Sequence, residues 1–303
     1  MRVMQDLWSH LAAHHKNPPS ECVRSCSEGL GGGPYDGTMS NEIQTWHYGL
    51  VARWWAEFNE GGNDIAFFQN VIERCGGAAL EAGCGTGRLL LPFLRSGLDV
   101  DGSDVSPDMI AWCAAKAEAD GLSLNLYTQA MHELDLPRRY RTVVLCGAFG
   151  LGGDRSTDLE GLRRIHSQLE SGGTLVMDHH LGKYNLDSDT MWQIPENLEL
   201  PGPWPDKGDR RRMSGGGELE LRTRLVGVDM AARSIVREIS VLQFDNGIEV
   251  ANDAYSIVIC SYSATEVENM LIEAGFGEVR VTGTLEVQDP ALDAERIVFE
   301  ATA

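Results

Sequence analysis

From Asn41 onward the chain alternates between two hydrophobic rhythms. In "NEIQTWHYGLVARWWAEFN" the apolar positions Ile43, Trp46, Leu50, Trp54 and Phe58 recur every three or four residues, the spacing of one helical face, and "DIAFFQNVIERC" repeats it. Short apolar runs then alternate with helical segments. "AALEAG" predicts a buried strand, "RLLLPFLRSG" a helix closed at Gly97, and "LDVDGSD" a second strand. "SPDMIAWCAAKAEADG" predicts a helix with Ser106 as N-cap, Pro107 at its first position and Gly121 at its end. "LSLNLYTQ" and "TVVLCGAF" read as strands, "STDLEGLRRIHSQLESGG" as a helix with Leu159, Leu162, Ile165 and Leu169 on one face, and "TLVMDHHL" as the strand after it. Strands separated by helices imply parallel β-α-β units. The expectation is an α/β fold with a doubly wound, mostly parallel seven-stranded sheet.

The alternation breaks after residue 181. Residues 182–216 read as one long irregular segment, followed by antiparallel strands with Asn246-Gly247 as a hairpin turn. Ser263 and Glu266 form a capping box ahead of a last helix, and "GEVRVTGTL" and "ERIVFEATA" supply two final strands. The predicted organisation is therefore a flexible extension over residues 1–40, a parallel-sheet domain over 41–181 and 261–303, and an antiparallel insertion over 182–260. An insertion at that point sits above the C-terminal edge of the sheet, where such folds bind ligands, so it reads as a lid or as a structural, dimer-forming ribbon.

Composition narrows the partners. The formal net charge is −20, from 45 acidic and 25 basic residues, and such a surface repels nucleic-acid backbones and anionic membranes. No run reaches the ~18 apolar residues of a membrane span, and the N-terminus lacks the basic start and apolar stretch of a secretory signal. Seven cysteines without framework spacing point to free thiols in a reducing cytoplasm. No ligand spacing for a metal is evident.

The chemistry concentrates in "ALEAGCGTGRLLLPFLRSGLDVDGSDVSPDMI". Gly83, Gly85 and Gly87 lie between a strand and a helix, where backbone approaches a ligand closely. A dinucleotide fingerprint would need glycine where Arg88 stands, and the Gly-Lys-Ser/Thr ending of a phosphate loop is missing. Glu81 stands at the end of the first strand and Asp104 at the end of the second, where a carboxylate can accept from a ribose diol. These motifs closely resemble the first two of the class I S-adenosylmethionine-dependent methyltransferases, in detail over residues 45–181 and more loosely over "SATEVENMLIEAGFGEVRVTG".

The resemblance implies S-adenosylmethionine as cofactor, S-adenosylhomocysteine as product and no metal. It implies that Gly83, Gly85 and Gly87 line the methionine portion, that Glu81 lies near the ammonium and that Asp104 takes the ribose hydroxyls. Met109 would cover the adenine, Tyr48 would lie near the methionine end, and Val105, Ala130, Met131 and Cys146 would complete the lining. Two positions depart from the family: Ala130-Met131 replaces the usual acid-methionine pair, and Gly49 replaces an acid after Tyr48. The absence of an Asn-Pro-Pro-Tyr-like motif after the fourth strand favours a small-molecule acceptor, of the specialised-metabolite or antibiotic-biosynthesis kind, over a planar amide or a nucleobase. Methyl transfer at nitrogen, oxygen or sulfur stays open, as does a cofactor-binding subunit without catalysis.

His179 and His180 follow the fifth strand at the ligand edge, and strand alternation turns only one of them toward the cleft as a base. His47 is a second base candidate. Phe149, Trp192 and Trp204 are candidate acceptor contacts, and a homodimer is possible.

Overall fold

The alternating rhythm resolves into two sheets in the computed structural model, which describes Thr45, residues 47–180, 198–284 and 296–303. The expected N-terminal extension, Trp46 and Trp192 lie outside the described residues. The larger sheet has seven strands: β1 (Ala79–Ala82), β2 (Val100–Asp104), β3 (Leu126–Thr128), β4 (Tyr140–Leu145), β5 (Leu169–His180), β10 (Val279–Thr284) and β11 (Arg296–Thr302), in the order β10-β11-β5-β4-β1-β2-β3. β1 pairs in parallel with β2 and β4, and only β11 runs antiparallel to its neighbours. The strand order reverses beside β1, the topological switch point at which open α/β sheets bind ligands.

The helices cover both faces. α1 (Gly49–Phe58), α2 (Asp64–Cys75), α3 (Leu90–Arg95) and α4 (Pro107–Ala119) precede β3, α5 (Arg155–Gln168) joins β4 to β5, and α6 (Ala264–Glu273) leads to β10. One apolar layer gathers Leu80, Val143, Leu145, Leu162, Ile165, Leu175, Met177 and Phe299, and the other Phe68, Ile72, Leu90, Phe93, Val144, Val176 and Val298. Consecutive residues of β4 and β5 thus enter opposite layers, the period of two that a doubly covered strand requires.

Local signals hold. Ser106 accepts the Met109 N–H at 3.2 Å, and Ser263 and Glu266 close their capping box. Within the described residues the first helix starts at Gly49, with Tyr48 extended as its N-cap; Asn41, where the sequence placed its start, lies outside them. The segment read as irregular contains a short strand, β6 (Asp209–Arg212).

β6 belongs to the second sheet, with β7 (Glu218–Asp229), β8 (Ser234–Asp245) and β9 (Ile248–Cys260) in sequential antiparallel order. The β8–β9 turn at Asn246-Gly247 has both residues at positive φ, 49° and 81°, as the short hairpin turn demands. This sheet is fixed at two places. The end of β9 docks on the loop after β4, where Cys260 N–H donates to Gly150 O and Gly152 N–H to Val258 O, each at 2.8 Å. α1 is held along its length: the Leu50 N–H donates to Asp253 (2.8 Å), Arg53 to Gln243 (3.4 Å), and Ser214 to Glu57 (3.0 Å).

Candidate cofactor and acceptor site

The chain turns sharply after β1. Gly83, Gly85 and Gly87 take φ values of 72°, 54° and 85°, in the left-handed region that only glycine enters freely. Two of them are also sterically required. A Cβ on Gly83 would lie 2.7 Å from the Ala148 Cβ, and one on Gly87 would lie 2.8 Å from the Cys113 Sγ and the Leu91 Cγ. Gly87 is therefore a packing position between the turn and α4, whereas Gly85 lies beside the Met109 Cε at ordinary contact distance. Met109 itself is buried.

Asp104 ends β2 beside this turn. Its Oδ2 accepts the Gly85 N–H at 2.9 Å and its Oδ1 the Ser106 N–H at 2.8 Å. Burial pushes its carboxyl up, and those two donors pull it back. An ionised carboxylate offers about four acceptor directions, so two remain after these bonds. Val105 is half-buried next to it, and Ala130 is buried at the start of the loop after β3. Met131 packs against the core under α5. Gln129 uses its side-chain carbonyl to accept the Asp135 N–H.

Tyr48 is brought to the same edge by its neighbours. The His47 carbonyl accepts from Ser106 Oγ, and the Gly49 N–H donates to Asp108 at 2.7 Å. The Tyr48 ring meets Tyr255 of β9 at 5.7 Å. His47 contacts the Thr45 hydroxyl through Nδ1 at 2.7 Å and meets Trp55 edge-on, and burial pushes its pKa down to about 4. It is thus neutral at pH 7 and a weak base.

Glu81 is the most unusual group. It is 2 % exposed, and its Oε2 has no hydrogen-bond partner. Burial raises its carboxyl well above the normal range, against the lowering effect of Arg88. Arg88 is itself held by Asp64 of α2, Nη1 to Oδ1 at 2.8 Å and Nη2 to Oδ2 at 2.9 Å. A second buried pair, Arg296 with Asp178, lies alongside; Asp178 also accepts the Gly147 N–H at 2.6 Å. Cys146 joins the two pairs, with its Sγ 3.4 Å from Arg88 and 3.3 Å from Arg296, and burial pushes its thiol up to about 11. Burial raises Asp64, but the hydrogen bond and charge of Arg88, with the charge of Arg296, hold it below the usual carboxylate range. Sequence reasoning missed this four-charge cluster. Its one signal was Arg88 standing where a dinucleotide loop carries glycine.

The expected base is placed differently. His179 is 4 % exposed and its Nε2 accepts the Tyr262 N–H at 3.4 Å. Phe149 and Tyr262 stack around it at 5.7 and 5.8 Å, and the Tyr262 hydroxyl donates to Asp158 at 2.5 Å. Burial pushes Asp158 up to about 7, partly offset by that hydroxyl. His179 and Phe149 therefore belong to a packed polar-aromatic cluster, and the nitrogen a base needs is already accepting. His180 ends β5 opposite Arg296, and its side chain lies outside the described residues.

The second sheet packs against α1 and the loop after β4. Residues directly opposite in neighbouring strands share a face. Thr223, Ile239 and Tyr255 form one row, and Leu225, Arg237 and Ile257 the next. Tyr255 touches Tyr48, so this face is turned toward Tyr48 and α1. Arg237, Tyr255 and Thr223 give it polar groups that the sequence did not single out. Arg224, Glu238 and Ser256 lie on the opposite face, and Trp204 packs there under Arg224 at 4.6 Å. Trp204 thus lies on the face opposite Tyr255. Among the described residues, no group of three or more His, Cys, Asp or Glu side chains is arranged to hold a metal, and no helix is long and apolar enough to cross a membrane.

A glycine turn at the switch point, a carboxylate near the end of each of the first two strands and this strand order give the larger sheet the architecture in which open α/β folds bind ligands. Residues 79–173 match the family model described as a methyltransferase domain. A protein of Geobacillus sp. (strain WCH70) that carries the name of a methyltransferase is 26% identical over 263 residues, covering 84% of this chain and 98% of its own. The CcbJ methyltransferase from Streptomyces caelestis has the same fold, with TM-score 0.59, 17% identity and coverage of 84% of this chain and 96% of its own. The sugar N-methyltransferase KedS8 from Streptoalloteichus sp ATCC 53650 gives TM-score 0.58 and 17% identity over 95% of this chain and 99% of its own. Residues 79–173 thus form a methyltransferase domain, set in the fold shared by S-adenosylmethionine-dependent methyltransferases of known structure.

Proposed function

We propose that the protein transfers a methyl group from S-adenosylmethionine to a small, polar acceptor of specialised metabolism, held between the glycine turn and the second sheet acting as a lid. The observation that carries the reading is the buried, unpartnered Glu81 Oε2 at the end of β1, beside Asp104. A buried carboxylate oxygen without a donor is costly, and a cationic ligand head removes that cost. When bound, the cofactor supplies an electrophilic methyl group for in-line displacement.

The chain's residues then have separable tasks. Glu81 accepts from the α-ammonium, and Asp104 accepts from the ribose hydroxyls with the lone pairs that Gly85 and Ser106 leave over. Met109 and Gly85 border the nucleoside. Tyr48 and Tyr255, in contact across the opening, exclude water and present aromatic faces, which suit a sulfonium. Orienting two reactants in such a site lowers the barrier by roughly 7–11 kcal/mol, more than a general base usually contributes. That fits a site in which His47 is a weak base and His179 is enclosed.

The polar groups of the ceiling, with the second sheet resting over the opening, favour a polar acceptor such as an amine on a sugar, which is what KedS8 is described as methylating. The test is incubation of the purified chain with methyl-labelled cofactor and a panel of amino sugars and their conjugates. Label on a sugar nitrogen is expected. Tight cofactor binding with no label on any small molecule, in the panel or in an extract, would favour a non-catalytic subunit.

A further inference from the structure

The cluster around Glu81 divides its charges unevenly. Two guanidiniums face three carboxylates, and both guanidiniums are committed elsewhere: Arg88 makes a two-bond pair with Asp64, and Arg296 pairs with Asp178 and reaches Asp64 at 3.5 Å. Those four groups neutralise one another. Glu81 is the carboxylate left over, at 2 % exposure with Oε2 unpartnered. Among the described residues its other surroundings add a Leu90 N–H but no cation. Asp104 ends β2, Cys113 comes from α4, Cys84 sits in the glycine turn and Cys146 follows β4; toward Glu81 these groups are acidic or neutral. An isolated negative charge in that place is strongly disfavoured, and a carboxyl group escapes the penalty by holding its proton.

We propose that Glu81 is protonated in the ligand-free protein and gives its proton to solvent when an α-ammonium group arrives, so that cofactor binding releases one proton. The inference rests on the cofactor reading above and adds a property of the chain to it. The protonated carboxyl is replaced by a carboxylate–ammonium pair, the O–H bond breaks and the proton passes to buffer, so charge and atoms balance. The burial that raises the Glu81 carboxyl acts in the same direction. The sign follows: the ionised form binds, so affinity rises with pH while free Glu81 is protonated and levels off above its titration.

The cluster also becomes a selector. Ligands that carry the ammonium release the proton, and an adenosine thioether without it does not.

Isothermal titration calorimetry on the whole protein, in phosphate and in Tris at each of several pH values from 8 down to 6, reads the proton count from the difference in enthalpy. In the lower part of this range the ligand ammonium is already charged. S-adenosylmethionine and S-adenosylhomocysteine are expected to release a fraction of a proton that grows toward one as pH falls, with affinity falling up to tenfold per pH unit. 5′-Methylthioadenosine is expected to release none. Glu81→Gln should bind without buffer dependence, and Cys113→Ser should leave the count unchanged. Buffer-independent binding of S-adenosylmethionine by the wild type, or equal release with 5′-methylthioadenosine, overturns the proposal while leaving the cofactor reading intact. No binding of S-adenosylmethionine at all refutes that reading, and this inference with it.

Discussion

Single residues decide what the site can hold. Asp104 fixes the Gly85 and Ser106 N–H groups, and in the proposed function it also accepts from the ribose hydroxyls. Replacing it by alanine should remove charge-assisted hydrogen bonds worth about 1.5–3 kcal/mol, a loss of roughly tenfold to a hundredfold in cofactor affinity by calorimetric titration. His179 is expected to behave otherwise. Enclosed by Phe149 and Tyr262, with Nε2 accepting from the Tyr262 backbone, it stabilises the join between β5 and α6. His179→Leu should lower stability by about 1–3 kcal/mol in denaturant unfolding, for the Tyr262 N–H loses its acceptor. The pH dependence of kcat should keep its shape; loss of its acidic limb would restore His179 as the base.

At the scale of elements, α1 joins the two sheets. Its first free N–H groups are capped from both sides, Gly49 by Asp108 of α4 and Leu50 by Asp253 of β9. Asp253→Ala should release the β9 side alone. The expected outcome is a rise in acceptor KM of about threefold to tenfold, with cofactor affinity nearly unchanged, because an N-terminal cap contributes on the order of 1 kcal/mol. Equal losses for both substrates would contradict this division and show that α1 positions both sites together.

What the sequence revealed follows the reach of its signals. The Ser106 cap, the Ser263–Glu266 capping box and the Asn246-Gly247 turn are local, and each predicted its own geometry. The glycine turn with Glu81 and Asp104 was legible because strand ends at a switch point have fixed roles. The α1 caps were not, since Leu50 and Asp253 are 203 positions apart and meet only after the second sheet folds over. The same reach hid the histidine environment: periodicity gave the strand, but not that Tyr262 closes over it.

For the whole molecule, the buried cluster at the ends of β1, β4, β5 and β11 holds the two halves of the chain together. Arg296 is 1 % exposed and its partner Asp178 lies 118 positions away. Asp178→Ala leaves that guanidinium buried without its main counter-charge and removes the acceptor of the Gly147 N–H. The expected cost is about 3–5 kcal/mol of folding stability by denaturant titration, whereas a loss under 1 kcal/mol would mean that water reaches the cluster. The central claim concerns the crevice in front of that cluster. A crystal structure of the protein with S-adenosylhomocysteine tests it most directly: the account predicts ribose hydroxyls within hydrogen-bond distance of Asp104 and the ammonium on the Glu81 Oε2. A nucleoside bound elsewhere, or one whose sugar lies away from Asp104, would contradict it.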